Sequence, residues 1–383
     1  MYSVAIIHTQ CGPYHLARAQ ALTKVFPGKV DLIQLAARER QRQWVVQETS
    51  VQLSTIAEGE LETFPKQQLT EGLIGHLEQT SPSALVVAGY SQPPMRAAIK
   101  WGKKQDIPII LLSDSQLCDR PRNIVVESLK GRWLRRNCDA AFVAGASAAQ
   151  YLDHLGFPKH KVWRGYDVVD NAYFSQASES IRQHEKIERN RLGLPDRFLL
   201  YVGRLSPEKN LIRLLEALSL CQKSRPHPPL PLVVVGSGEQ EGELKKRAQD
   251  LALKDIVWVG FKQIDELPSY YALAYALVLS STSEPWGLVV NEAMACGLPV
   301  LASTQCGAVL DLVFPGINGF IFDPWKLGSI SHAISTFWQL SEGQRVSMGK
   351  ASQRLIQNFS TDTWAKALSD CVVQTSERLG KSP

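Results

Sequence analysis

No uninterrupted apolar run in this 383-residue chain is long enough to cross a bilayer, so no membrane-spanning helix is expected. Residues 1–7 carry neither a basic leader nor a small-residue cleavage site, and they read as a first strand rather than a signal peptide. The seven cysteines contain no Cys-x-x-Cys pair. That argues against a zinc site or a disulfide framework and for reduced thiols in a cytoplasmic protein. No Asp-x-Asp follows a strand, so no metal site is expected. Only Gly12 follows the first strand, where a dinucleotide-dependent dehydrogenase needs Gly-x-Gly-x-x-Gly. The two halves share no obvious repeat. A net charge of +5 is too mild to imply a nucleic-acid partner.

What is present is the composition of a soluble globular protein, 44% hydrophobic and 21% charged, at a length that calls for two cores. The first half alternates strands and helices. A strand over 4–8, a loop over 9–15 holding Gly12, Pro13, Tyr14 and His15, and a helix over 16–25 open a Rossmann-like unit. A strand over 30–35 follows. Residues 36–64 read as irregular, with the charged run Arg38-Glu39-Arg40-Gln41-Arg42 and then Trp44-Val45-Val46. Further on, a strand over 108–112 ends at Ser113-Asp114-Ser115, and in an open α/β sheet that end lines the ligand crevice. Helix 123–137 spaces Val125, Val126, Leu129 and Trp133 helically beside Lys130, Arg132, Arg135 and Arg136. Two readings stay open for it: a solvated face with Trp133 in the core, or a basic surface for anionic lipid or a lipid-diphosphate acceptor.

Residues 175–197 are polar and read as a linker. The second half then runs strand 198–202, the turn Gly203-Arg204-Leu205-Ser206-Pro207-Glu208-Lys209-Asn210, and helix 211–221. On such a strand-to-helix turn Arg204 and Lys209 can converge on one anionic group. A Pro-rich connection spans 226–231, strand 232–235 ends in the turn Gly236-Ser237-Gly238, and strand 256–259 ends at Gly260-Phe261-Lys262. The chain is organised around Ser283-Glu284-Pro285-Trp286-Gly287-Leu288-Val289-Val290-Asn291-Glu292, between a buried strand over 275–280 and another over 300–303. A helix starting near Pro285 to Gly287 points its unpaired amides and positive dipole end at whatever sits above the turn, which suits a phosphate or a sugar oxygen. Glu292 lies two turns in and can accept bonds from hydroxyls.

Two glutamates eight apart around that turn, with Gly297-Leu298-Pro299-Val300 behind them, resemble the Glu-x7-Glu motif of retaining GT-B glycosyltransferases of the family 4 type, the glycosyl transferases group 1. The resemblance runs over almost the whole chain, strongly from 199 to 322 and weakly before 83. It implies two Rossmann-like domains facing a central cleft: an acceptor-binding domain over 1–174, a linker over 175–197, a nucleotide-sugar-binding domain over 198–358, and a last helix over 359–383 crossing back to the first. It implies sugar transfer from a nucleotide-diphosphate donor to a saccharide or lipid-linked acceptor with retention, without cofactor or metal, in polysaccharide or glycolipid synthesis. Catalytic roles fall to Arg204, Lys209 and Glu284. Donor contacts fall to Gly12, Gly203, Gly236, Gly238, Lys262, Pro285, Trp286, Gly287, Leu288 and Glu292, and acceptor contacts to Tyr14, His15 and Asp114. The protein is expected in the cytoplasm, with peripheral contact at the inner face of the membrane left open. Two departures touch the acceptor side: Gly12-Pro13 stands where relatives pair glycines, and Asp114 where many carry a histidine. A nucleotide-sugar epimerase and a non-catalytic sugar-nucleotide binding protein on the same fold remain the alternatives.

Overall fold

The computed structural model describes residues 2–40, 51–223 and 231–381. Gln41, Arg42 and Trp44-Val45-Val46 of the charged stretch, and residues 226–230 of the Pro-rich connection, lie outside the described residues. The chain divides into two units, the first formed by residues up to Leu117, Pro121–Asp170 and the chain from Phe359 onward, the second by Cys118–Arg120 and Asn171–Asn358.

In the first unit the elements run β1 (Ser3–His8), α1 (Pro13–Val25), β2 (Lys29–Arg38), β3 (Leu53–Glu60), α2 (Lys66–Thr80), β4 (Ala84–Ala88), α3 (Pro93–Lys104), β5 (Ile109–Ser113), α4 (Ile124–Asn137), β6 (Ala140–Val143), α5 (Ala146–His154) and β7 (Val162–Arg164). Their strands form one parallel sheet in the order β3-β2-β1-β4-β5-β6-β7. Strand β1 is central, with Ile6 level with Leu32 on one side and Val86 on the other. Val4, Ala5, Ile6 and Ile7 are all but inaccessible. A strand covered on both faces must be apolar at every position, which is why it reads as an unbroken run rather than an alternation.

Two stretches differ from the sequence expectation. Residues 36–64 are not wholly irregular: β2 continues to Arg38, and β3 pairs parallel to it at the sheet edge. The pairing is held partly by polar side chains, Ser54 Oγ donating to Asp31 at 3.0 Å and Gln34 Nε2 to Thr55 Oγ1 at 2.9 Å. A half-solvated edge strand sewn by such bonds carries no apolar signature. Residues 175–197, expected as a linker, hold most of α6 (Asn171–Arg182) and all of α7 (Glu185–Leu192).

The second unit continues with β8 (Leu199–Val202), α8 (Leu211–Lys223), β9 (Leu232–Val235), α9 (Glu241–Asp250), β10 (Ile256–Gly260), α10 (Leu267–Leu273), β11 (Ala276–Leu279), α11 (Leu288–Ala295), β12 (Val300–Ser303), α12 (Val309–Leu312), β13 (Gly319–Phe322), α13 (Leu327–Trp338) and α14 (Glu342–Ile356). The parallel sheet order is β10-β9-β8-β11-β12-β13. Arginines dock α6 and α7 here: Arg182 Nε donates to the Ala272 carbonyl at 3.2 Å, and Arg189 Nη2 to that of Leu273 at 2.8 Å. These are end-of-helix carbonyls of α10, which have no partner inside their own helix. Polar composition therefore disguised a pair of packed helices.

The last helix, α15 (Thr361–Arg378), belongs to the first unit. Ser360 caps it, its Oγ accepting from the Thr363 amide at 3.2 Å. Trp364, Ala365, Leu368, Cys371 and Val372 enter the core that α1 and the sheet share. Trp364 lies 6.1 Å from Phe142 of β6, ring centre to ring centre.

Candidate functional site

In each sheet the strand order reverses once, between β1 and β4 and between β8 and β11. At such a reversal the loops leaving the strand ends diverge to opposite faces and leave a crevice. The organising stretch is the loop after β11 and the Arg204–Lys209 turn is the loop after β8, so the second crevice falls between them.

The two loops are tied together there. The Asn210 side chain donates to the Ser280 carbonyl at 3.1 Å and the Pro324 carbonyl at 3.0 Å, and Ser280 Oγ donates back to the Lys209 carbonyl at 2.9 Å. The Thr282 amide reaches the Glu208 carbonyl at 2.8 Å. Asn210 itself has φ +58°, which asparagine tolerates better than most residues. With the backbone fixed, Lys209 Nζ and Glu284 Oε2 form a direct ion pair, each side chain little more than a tenth exposed. Ser281 Oγ adds a bond to the same carboxylate at 3.4 Å. An ammonium carries three donors and one is spent on Glu284, which leaves donors for an anion placed above the pair.

Arg204 is held differently. Its guanidinium meets Glu208 at 3.2 Å with more than half the side chain exposed. A pair this open is weak, so turning the guanidinium toward a ligand costs little. Its backbone does not share that freedom, since the Tyr201 hydroxyl donates to the Arg204 carbonyl at 2.7 Å. Burial alone would raise the Glu208 carboxyl. The Ser206 hydroxyl, a backbone bond and the charges of Arg204 and Lys209 outweigh it and hold the group below the usual range. Sequence reading passed over both Glu208 and Asn210, although the pattern of two bases flanking an acid was visible.

The turn into α11 is constrained from both sides. Gly287 has φ +98°, and a Cβ there would lie 3.0 Å from Cys306 Sγ and 3.2 Å from Glu284 Cγ. Glycine is therefore required by backbone and space alike. The Gly307 amide donates to the Glu284 carbonyl at 2.9 Å, and the Ala308 amide to that of Trp286 at 3.1 Å. These bonds aim the first-turn amides, Leu288 foremost, out of the helix end. The Trp286 indole turns inward, 3% exposed, and donates to Asn291 at 2.9 Å. Any ligand contact from Trp286 is thus made by backbone. Glu292 is 2% exposed and accepts from the Tyr271 hydroxyl at 2.6 Å. Tyr271 gave no sign of this role in the sequence, because its partner lies on another helix.

The neighbouring loops line up along the same sheet edge. Gly203 N–H donates to Val235 O at 3.0 Å, Leu205 N–H to Ser237 O at 2.9 Å and Gly236 N–H to Gly260 O at 2.8 Å. The turns holding Gly203, Gly236, Gly238 and Lys262 are so laced side by side. The Lys262 ammonium is engaged with Glu266 at 2.8 Å.

In the first unit, Gly12 is extended rather than left-handed, and its amide donates to His15 Nδ1 at 2.9 Å. Neutral His15 must then carry its proton on Nε2. Its ring centre lies 4.3 Å from that of His8. Tyr14, expected on the acceptor side, is 8% exposed. Asp114 is exposed at the end of β5. Nearby in charge terms is a buried pair: Arg18 donates to Asp167 at 3.4 Å and to the Val168 carbonyl at 2.7 Å. Burial first, and then the charge of Asp114, push the Asp167 carboxyl up to about 7 against the pull of Arg18.

A family model described as glycosyl transferases group 1 matches residues 182–355. Among curated proteins, the chain is 31% identical over 225 residues to D-inositol 3-phosphate glycosyltransferase of Pseudarthrobacter chlorophenolicus, 57% of this chain and 52% of that one. It is 32% identical over 173 residues to mannosylfructose-phosphate synthase of Agrobacterium fabrum, 43% of this chain and 37% of that one. The chain thus spans about half the length or less of these relatives. Among solved structures, Anabaena HepE in complex with UDP and glucose aligns over 99% of this chain and 100% of its own with TM-score 0.73 at 17% identity. Sucrose-phosphate synthase from Thermosynechococcus elongatus aligns over the same shares with TM-score 0.74 at 20% identity. At such identities the likeness is one of fold, two Rossmann-like units of the GT-B class.

Proposed function

We propose, on the likeness of residues 182–355 to the glycosyl transferases group 1, that the chain moves a sugar from a nucleotide-diphosphate donor to a hydroxyl of a saccharide or lipid-linked acceptor, with retention at the anomeric carbon and without a metal ion or other cofactor. The observation that carries the reading is the Lys209–Glu284 pair at the reversal point of the second sheet, under the Gly287 turn. As the donor's glycosidic bond breaks, charge builds on the leaving diphosphate. Lys209, Arg204 and the first amides of α11 stabilise that charge where a metal ion does so elsewhere. Glu284, held by Lys209, receives sugar hydroxyls, and Glu292, held by Tyr271, the ribose. The turns at Gly203, Gly236, Gly238 and Lys262 receive the nucleoside edge through backbone. In a front-face path the leaving phosphate takes the acceptor proton, so no side-chain nucleophile is invoked. His15 and Asp114 are the acceptor-side candidates.

The proposed reaction calls on no metal ion. Activity is accordingly expected to persist in EDTA, and a loss restored by manganese or magnesium would count against it. Because the fold relative HepE is captured with UDP, and with UDP and glucose, UDP-glucose is the first donor to try. Thermal shift against UDP-, GDP- and ADP-glucose is expected to show one clear stabiliser, worth about 2.7 kcal/mol at 100 times its dissociation constant. NMR of the product then reads the anomeric configuration. No stabilisation by any nucleotide sugar, or an inverted product, overturns the proposal. Conversion of the donor without an acceptor would favour an epimerase.

A further inference from the structure

Helix α4 packs through one face only. Glu127, Gly131 and Leu134 point inward. A Cβ on Gly131 would lie 2.2 Å from the Leu155 carbonyl oxygen, so the helix is seated as close as backbone allows. Asn123 fixes its start, accepting from the Val125 and Val126 amides at 3.0 and 3.2 Å. The outward side is therefore a settled surface and not a frayed end.

That surface is apolar in its first half and basic in its second. Ile124 is 84% exposed, Val125 63%, Val126 47% and Leu129 58%, and Arg132 and Arg136 are exposed beyond them, while Arg135 turns back to donate to the Leu155 carbonyl. Val125, Leu129, Arg132 and Arg136 recur at the four- and three-residue steps that put side chains on one line of a helix. Glu127 is the only acid on α4, and it is turned inward, bonded by Lys130 at 2.7 Å and by the Tyr151 hydroxyl at 2.5 Å. No carboxylate of the helix offsets the outward bases. Trp133 leaves this line to pack beside Tyr90 at 5.7 Å, so it does not cover the exposed residues.

We propose that the outward face of α4 docks the protein on an anionic lipid bilayer, its apolar first half entering the headgroup boundary and its arginines meeting lipid phosphates. An apolar strip continuous with bases of one sign fits that occupant, since each half supplies what the other lacks for reversible surface binding. A second copy of the chain fits worse, because pairing through this face brings arginines of two proteins of net charge +5 together. The proposal does not rest on the donor reading, and binding can be measured without turnover.

The test is co-sedimentation with vesicles of equal phosphatidylcholine and phosphatidylglycerol, against vesicles of phosphatidylcholine alone. Wild-type protein is expected to pellet with the anionic vesicles at low salt, to stay in the supernatant with the neutral ones, and to be released at 1 M salt, where screening shortens to about 3 Å. V125S/L129S and R132E/R136E each change only exposed side chains and should lower vesicle binding by roughly tenfold or more. Unchanged melting temperatures establish that both variants are folded. Failure of the wild type to pellet, equal pelleting with neutral vesicles, or undiminished binding of either variant overturns the proposal. So does a wild-type dimer in analytical ultracentrifugation that V125S/L129S dissociates, which would assign the face to self-association.

Discussion

At the scale of single residues, the second unit's site rests on how differently its two bases are held. Lys209 is enclosed with Glu284, whereas Arg204 is half in solvent with Glu208. If both stabilise the departing diphosphate, Arg204→Ala and Lys209→Ala should each lower kcat by roughly 10²–10³. They should differ in stability. Lys209→Ala leaves a nearly buried carboxylate without its counter-charge and should lower the melting temperature, while Arg204→Ala should not. Steady-state kinetics and calorimetry on the two variants check this, and wild-type turnover in both would remove them from catalysis. In the first unit Asp167 makes a pH-dependent prediction. Its carboxyl is raised from 3.8 to about 7, so the folded state binds this proton more tightly than the unfolded chain. The resulting stabilisation is complete below the unfolded value and is lost as pH rises through the folded one. Between about pH 4 and pH 7.5 the wild type should therefore lose stability relative to Asp167→Asn. Parallel melting-temperature profiles for the two proteins would show that Asp167 is ionised throughout.

At the scale of elements, what was legible in the sequence depended on whether apolar pattern or polar bonding makes the element. The strands flanking the site, β8, β11 and β12, are four-residue runs buried at every position, and each was readable as such. The turn before α11 was readable because Gly287 and the glutamates around it combine residue types that a simple turn does not need. Edge strand β3 and helices α6 and α7 were not, because Ser54–Asp31, Gln34–Thr55 and the Arg182 and Arg189 caps hold them through polar contacts with residues distant in sequence. The α4 face stands between the two, because its sequence fits both a solvated face and a basic lipid surface, and the packing of Gly131 shows which side is inward. Helix α15 offers the element-level test. Leu368 is fully buried in the core shared with α1. Leu368→Ala should destabilise the first unit by about 2–5 kcal/mol. Donor stabilisation in thermal shift should be retained, since none of the donor-site residues lies in that core. Loss of nucleotide binding in a folded variant would refute that separation.

For the molecule as a whole, the consequence lies in how the chain is apportioned. The second unit is nearly continuous, Asn171–Asn358, while the first is closed by a helix that arrives only after the second has been made. Gly12 is the donor-side expectation outside that continuous stretch. The diphosphate, sugar and ribose contacts proposed at Arg204, Lys209, Gly287, Glu284 and Glu292 fall inside it. So do the elements that fix them: Asn210, Tyr271, Cys306 and the helices α6 and α7. A fragment of residues 171–358 should consequently fold and bind the donor nucleotide with an affinity within about tenfold, or roughly 1.4 kcal/mol, of the full chain's. The complementary fragment, residues 1–170, lacks Trp364, Leu368 and Val372 and leaves the apolar face of α1 and the sheet without its cover. Buried apolar area is the main favourable term in folding, so this fragment should aggregate or bind a hydrophobic dye. Adding a peptide of residues 359–383 should restore cooperative melting. Circular dichroism and calorimetric titration on the three pieces decide the matter. A well-folded 1–170 fragment would show that α15 contributes little, and a 171–358 fragment that folds but binds no nucleotide would place essential donor contacts in the first unit.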